Sequence, residues 1–160
     1  MKKSIIVVGV LVLFFVGGIF AITTNKNNPT TGNGVLGITG TTIYKGSTCG
    51  CCSLYTDYFK NKGDKEVSVI DVPDISVIKE KYNIPSSLQS CHTTIIGDYF
   101  VEGHIPIEAV SKLLTEKPAI AGIAMPGMPS GSPGMPGSKT GPFVIYAVNK
   151  DGTYNEFMTM

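Results

Sequence analysis

At 160 residues, 42% of them hydrophobic and 16% charged, the chain has room for one small globular domain and an appendage, and is too short for two ordinary domains. Its cations are 13 lysines with no arginine, set against 12 acidic residues, so the net charge is near zero, the forked donor best suited to phosphate is missing, and nucleic acid is excluded as a partner class. The 19 glycines and 10 prolines indicate a loop-rich chain, yet its aliphatic content is too high for a disordered one, and its 4 cysteines are too few for a disulfide scaffold.

Lys2 and Lys3 precede an uncharged run of 18 residues from Ile5 to Ile22, a length between a long signal segment and a short membrane helix. Either reading exports the rest of the chain. The flanking lysines keep the N-terminus on the cytoplasmic side, and Ala21-Ile22-Thr23 is a poor cleavage pattern, which favours an uncleaved anchor over residues 1–22. Residues 23–34 are rich in Thr, Asn and Gly, a polar tether, so the folded domain is expected over 35–160, facing the periplasm or the cell exterior, or secreted if the N-terminal segment is cleaved.

Ile38 to Tyr44 reads as a strand that leads through Lys45-Gly46-Ser47 to Cys49-Gly50-Cys51-Cys52 and a helix through Lys60. On that helix Leu54, Tyr55, Tyr58 and Phe59 are expected to share a face, and Gly63 to stop it. Glu66 to Val72 reads as a short buried strand, and Asp74 as the cap of a helix carrying Ile75, Ile78 and Tyr82 before Pro85. Thr93 to Ile96 and Tyr99 to Glu102 flank the Gly97-Asp98 hairpin signal, and Pro106 opens a helix bearing Ile107, Val110, Leu113 and Leu114 that ends at Pro118. The 24 residues from Ala119 to Pro142, with 6 Gly and 5 Pro, show no periodicity and read as one long loop. A closing hairpin pairs Phe143 to Val148 with Thr153 to Phe157 around Asn149-Lys150-Asp151-Gly152. This order, strand–helix–strand–helix and then a hairpin and a helix, with a cysteine cluster at the first strand-to-helix turn, is that of an α/β, thioredoxin-like single domain.

Backbone N–H groups and the positive end of a helix favour thiolate over thiol at such a turn. Thiolates are the nucleophiles of disulfide exchange and also the soft ligands preferred by Cu(I), Zn and iron–sulfur clusters. Cys49 and Cys52 have C-x-x-C spacing, but Cys51 adds a third sulfur, and adjacent cysteines close a strained ring if they pair. Three sulfurs on one turn therefore suit a metal better than a disulfide, with Cys91 as a fourth donor. The alternative is that Cys49 and Cys52 alone pair and Cys91 is a small buried hydrophobe. His92 and His104, the only two histidines, are candidate ligands by their placement beside Cys91 and after the hairpin. Met128 and Met135 lie in the Gly/Pro loop, where thioethers are soft donors, although methionines there can simply fill gaps over the core. The carboxylates form no close pair, which leaves no glycosidase or hard-metal site, and no phosphate-binding loop or Gly-x-Ser-x-Gly elbow occurs.

The strings Cys49-Gly50-Cys51-Cys52, Ser90-Cys91-His92-Thr93, Val101-Glu102-Gly103-His104-Ile105-Pro106 and Pro126 to Met135 resemble the CopG-type copper-resistance proteins, over about Thr42 to Val148. The resemblance implies a thioredoxin-like fold, a copper site built on the cysteine cluster, and periplasmic or cell-surface copper handling, with a change of copper oxidation state as a further expectation. On matching motif positions it implies metal ligands among Cys49, Cys51, Cys52, Cys91, His92, His104, Met128 and Met135. Met125 departs from the family, which usually has an aliphatic residue there, and Tyr55 stands where many relatives carry Trp.

Two functions of different class fit these residues. One is an exported copper-binding protein of copper homeostasis or resistance, holding one or several Cu(I) ions through bridging thiolates, with copper-delivery or thiol-reducing proteins as partners and the membrane reached through the N-terminal segment. The other is a membrane-tethered thiol–disulfide oxidoreductase in which Cys49 attacks, Cys52 resolves and Cys51 is dispensable. A permanent Zn site from Cys49, Cys51 or Cys52, Cys91 and His92 is a third reading, opposed by the difficulty of placing adjacent cysteines on one tetrahedral ion.

Overall fold

The computed structural model describes residues 40–160, so the expected anchor at 1–22, the tether at 23–34 and the expected domain start at Val35 lie outside the described residues. Among the described residues no helix is long and apolar enough to cross a membrane.

Strand β1 (Thr41–Gly46) leads to helix α1 (Gly50–Lys62), and the chain continues through β2 (Ser68–Val72), α2 (Ser76–Lys81), a 3-10 turn at Ser86–Leu88, β3 (His92–Ile96), β4 (Tyr99–Glu102), α3 (Ile107–Glu116), β5 (Gly122–Ala124), β6 (Val144–Val148) and β7 (Tyr154–Thr159). One mixed sheet holds all seven strands in the order β2-β1-β3-β4-β5-β6-β7. β1 runs parallel to β2 and β4 to β5, while the remaining neighbours are antiparallel. The chain is thus an α/β single domain.

Strand alternation divides the interior into two layers. Ile43, Ile96, Val101, Ile123 and Ile145 pack with Tyr55 and Phe59 of α1 and with Ala109, Val110 and Leu113 of α3. On the opposite face Phe100, Ala124 and Val148 meet Ile84 and Leu88 from the segment after α2. The Asp74 carboxylate accepts the Ser76 N–H at 2.9 Å, but the N-cap position of α2 falls one residue later than expected, at Ile75. Gly103, at φ +84°, lets β4 turn out of the sheet; a Cβ there would stand 2.6 Å from the Met125 carbonyl oxygen.

Three expectations are corrected. β2 is not a buried strand: Val69 is 37% and Ile70 42% exposed, because β2 is the outermost strand and neither core cluster draws on it. The buried stripe of α1 is Cys52, Tyr55, Thr56 and Phe59, so Leu54, at 57% exposure, faces solvent. The stripe starts at Cys52, whose disulfide-bonded sulfur is buried 3.6 Å from the Cys91 carbonyl oxygen. The stretch after Ala119 is not all loop. Gly122–Ala124 forms β5, whose three residues are too short a run to show alternation.

Candidate metal centre

The end of β1 delivers the chain to α1 with Cys49 at the N-cap and Cys51 and Cys52 in the first turn. β3 runs antiparallel to β1, with His92 opposite Lys45, so Cys91 arrives beside that same turn. The four cysteine sulfurs lie within 4.8 Å of one another, and the Cys91 sulfur lies equally close to a ring nitrogen of both His92 and His104. Cys91 is the shared member: its Sγ is 3.9 Å from Cys51 Sγ, 3.4 Å from His92 Nδ1 and 3.0 Å from His104 Nε2. Cys49 and Cys52 are joined by a disulfide, and Cys51 and Cys91 are free.

The histidines are held from behind. His104 Nδ1 lies 2.6 Å from the Pro133 carbonyl oxygen, and since a carbonyl only accepts, Nδ1 carries the hydrogen and Nε2 turns its lone pair toward Cys91. His92 is fully buried, and its Nε2 has no hydrogen-bond partner. The Tyr55 ring lies against both imidazoles, its centroid 4.3 Å from that of His92 and 5.4 Å from that of His104, while its hydroxyl donates to the Ile105 carbonyl at 3.0 Å. Gly134, at φ +78°, seats the Gly/Pro loop on α1; a Cβ there would come within 2.6 Å of the Tyr55 backbone nitrogen. Only glycine permits that contact, which brings Pro133 to His104.

The methionines separate. Met125 is buried in the core beside Ile123 and Phe143, so it acts as a hydrophobe. Met128, at φ +45°, is 41% exposed, and Met135 is partly buried. The buried ion pair of Lys79 and Glu102 behind Cys91 was not expected. Its one sequence signal is the glutamate that ends the otherwise apolar Tyr99-Phe100-Val101 run of β4.

Burial sets the protonation states. It pushes the Cys91 thiol up to about 12, with the Cys51 sulfur adding to the effect, and holds His104 below its ordinary 6.5 and His92 well below it. Below pH 6.5 the unfolded chain therefore binds protons that the native histidines refuse, and stability falls with falling pH. Above about pH 9 the unfolded chain releases a proton that native Cys91 retains, and stability falls with rising pH. The urea midpoint of the metal-free protein with its Cys49–Cys52 disulfide intact should accordingly be highest between pH 6.5 and 9 and drop on both sides. His92→Gln should flatten the acid limb; an unchanged acid limb in that variant would show that His92 is not its source.

Fold and site together define an α/β domain with a soft-donor cluster at a strand-to-helix turn. Two solved structures titled as copper resistance protein CopG match it: form 2 at 31% identity and TM-score 0.69, covering 75% of this chain and 96% of that one, and form 1 at 29% identity and TM-score 0.66, covering 77% and 98%. The chain belongs to the CopG copper-resistance family. Residues 88–135, from the 3-10 turn through Met135, also match the family described as a protein of unknown function, DUF411. No curated protein sequence matches.

Proposed function

We propose that this protein binds copper in copper homeostasis or resistance, holding Cu(I) through Cys49, Cys51, Cys52 and Cys91, with His92 and His104 as imidazole donors. One observation carries the reading: the Cys91 sulfur joins a four-sulfur group to a two-imidazole group, each within 4.8 Å. Soft thiolates with imidazoles are a donor set for Cu(I), and a thiolate placed between two groups can bridge ions, which supports more than one copper per chain. His92 Nδ1, 3.4 Å from the Cys91 sulfur, is the nitrogen of that imidazole placed for a ligand role. Met135, and Met128 earlier in the same loop, are the thioether donors of this reading. Bound copper would supply one-electron chemistry between Cu(I) and Cu(II), which makes interconversion of copper oxidation states the activity to look for.

The fold in this reading is thioredoxin-like, supported by the run β1–α1–β2–α2–β3–β4–α3 with β1 parallel to β2 and antiparallel to β3, and extended by β5 to β7. The domain lies outside the cytoplasm, tethered through residues 5–22 and served by copper-delivery or thiol-reducing proteins. The Lys2-Lys3 flank and the 18-residue uncharged run support that placement.

A second reading, thiol–disulfide exchange, is favoured by the Cys49–Cys52 disulfide. Anaerobic Cu(I) titration separates the two. The reduced protein should bind more than one copper per chain, the oxidised protein should lose most of that capacity, and Cys51→Ala should lose most of it even when reduced. If the reduced protein binds little copper and Cys49 and Cys52 cycle reversibly with or without Cys51, exchange is the function.

A further inference from the structure

Glu102 lies on the face of the sheet opposite His92: it pairs across β3 with Thr93, while His92 pairs across β1 with Lys45. Its side chain is fully buried, and that of Lys79, its ion-pair partner from α2, is 3% exposed. The carboxylate also accepts the Thr93 hydroxyl at 2.6 Å and the Ser90 N–H at 2.5 Å, and Lys79 donates to Thr93 Oγ1 at 3.2 Å. Ser90, Thr93 and Glu102 all lie near donors of the metal centre: Ser90 precedes Cys91, Thr93 comes directly after His92, and Glu102 itself stands two residues before His104. The backbone on the near side is tied as well, since the Gly103 N–H donates to the His92 carbonyl at 3.1 Å.

Two charges taken out of water are a poor source of stability, and an apolar pair of the same volume usually serves as well or better. What an apolar pair cannot do is fix direction. Three directional bonds to one carboxylate hold two strands and the turn before β3 in a single register.

We propose that Glu102, held in orientation by Lys79, is a positioning residue for the metal centre. It clamps the segments carrying Cys91, His92 and His104 so that their donor atoms stay within reach of one another. This rests on the copper-binding reading; Glu102 itself touches no metal. Loss of an outer-shell partner of this kind typically weakens metal binding 10- to 100-fold.

The test uses the full chain, reduced and titrated anaerobically with Cu(I) against a competing chelator, with thiolate-to-copper absorption and Cu(I)–thiolate luminescence recorded alongside thermal unfolding. The Lys79→Met/Glu102→Met double variant replaces the ion pair by apolar side chains and is expected to fold. Its copper affinity should fall 10- to 100-fold and its absorption and luminescence should change, while Val148→Ala, which thins the same core layer away from Ser90 to Thr93, should keep the wild-type spectrum. Thr93→Val, which removes one bond to the carboxylate, should lower affinity several-fold with a smaller spectral change, and it decides the matter if the double variant does not fold. Wild-type affinity and spectra in the folded double variant, or in Thr93→Val if the double variant is unfolded, overturn the positioning role. Failure of the wild-type protein to bind copper overturns the reading beneath it, and the clamp falls with that reading.

Discussion

Cys91→Ser should remove at least half of the copper bound by the reduced protein while leaving the metal-free fold almost unchanged. The sulfur of Cys91 is the only donor common to the cysteine group and the histidine pair among the described residues. Serine keeps the shape and can donate to His104 Nε2 as the thiol does, so the cost in stability should be within about 1 kcal/mol. It replaces a polarizable bridging thiolate with a hard oxygen that has little affinity for Cu(I). Copper per chain and the urea midpoint, measured together, check the prediction. The same variant separates the two functional readings, because an enzyme working through Cys49 and Cys52 alone keeps its disulfide equilibrium when Cys91 is changed. Full copper capacity in Cys91→Ser would show that the two donor groups act independently, and the bridging arrangement would be wrong.

Much of this centre is legible in the sequence because its members lie next to strong local signals. Cys49, Cys51 and Cys52 stand where a β-branched run ends and a helical pattern begins, and that boundary alone puts them at a helix start. Cys91 and His92 open the strand before the Gly97-Asp98 turn, and His104 comes after the strand beyond it, so hairpin pairing brings the two segments side by side. The copper reading of the site is a different matter. It rests on motif resemblance, since spacing of thiols does not distinguish a metal cluster from a redox pair.

The features hidden from the sequence depend on tertiary pairing. Lys79 reads as one more lysine on a short, charged helix, and nothing local reveals that it is buried against a glutamate 23 residues away. β2 has the composition of a buried strand, yet burial is decided by its place in the strand order, here the edge. Leu54 shares a helical face with Tyr55 by spacing, but the buried stripe of α1 runs from Cys52, which is tied to Cys49 by the disulfide and packed against Cys91. β5 is invisible to pattern because three residues amid glycine and proline carry no period.

Tyr55→Ala should be the most destabilising single change in the site, costing about 3–5 kcal/mol, the range for emptying a fully buried aromatic position. The side chain has no exposure, packs in the core beside Phe59, and forms the wall against which both imidazoles rest. Tyr55→Phe isolates one part of that role. It keeps the ring and loses only the bond from the hydroxyl to the Ile105 carbonyl, for about 1–3 kcal/mol, because a buried acceptor is left without its donor. If the ring acts by packing, copper binding should survive in the phenylalanine variant and fall in the alanine variant, where His92 and His104 lose their common support. Chemical unfolding and Cu(I) titration of both variants give the comparison. A phenylalanine variant as stable as the wild type that nevertheless lost copper would assign the hydroxyl, and not the ring, to the site.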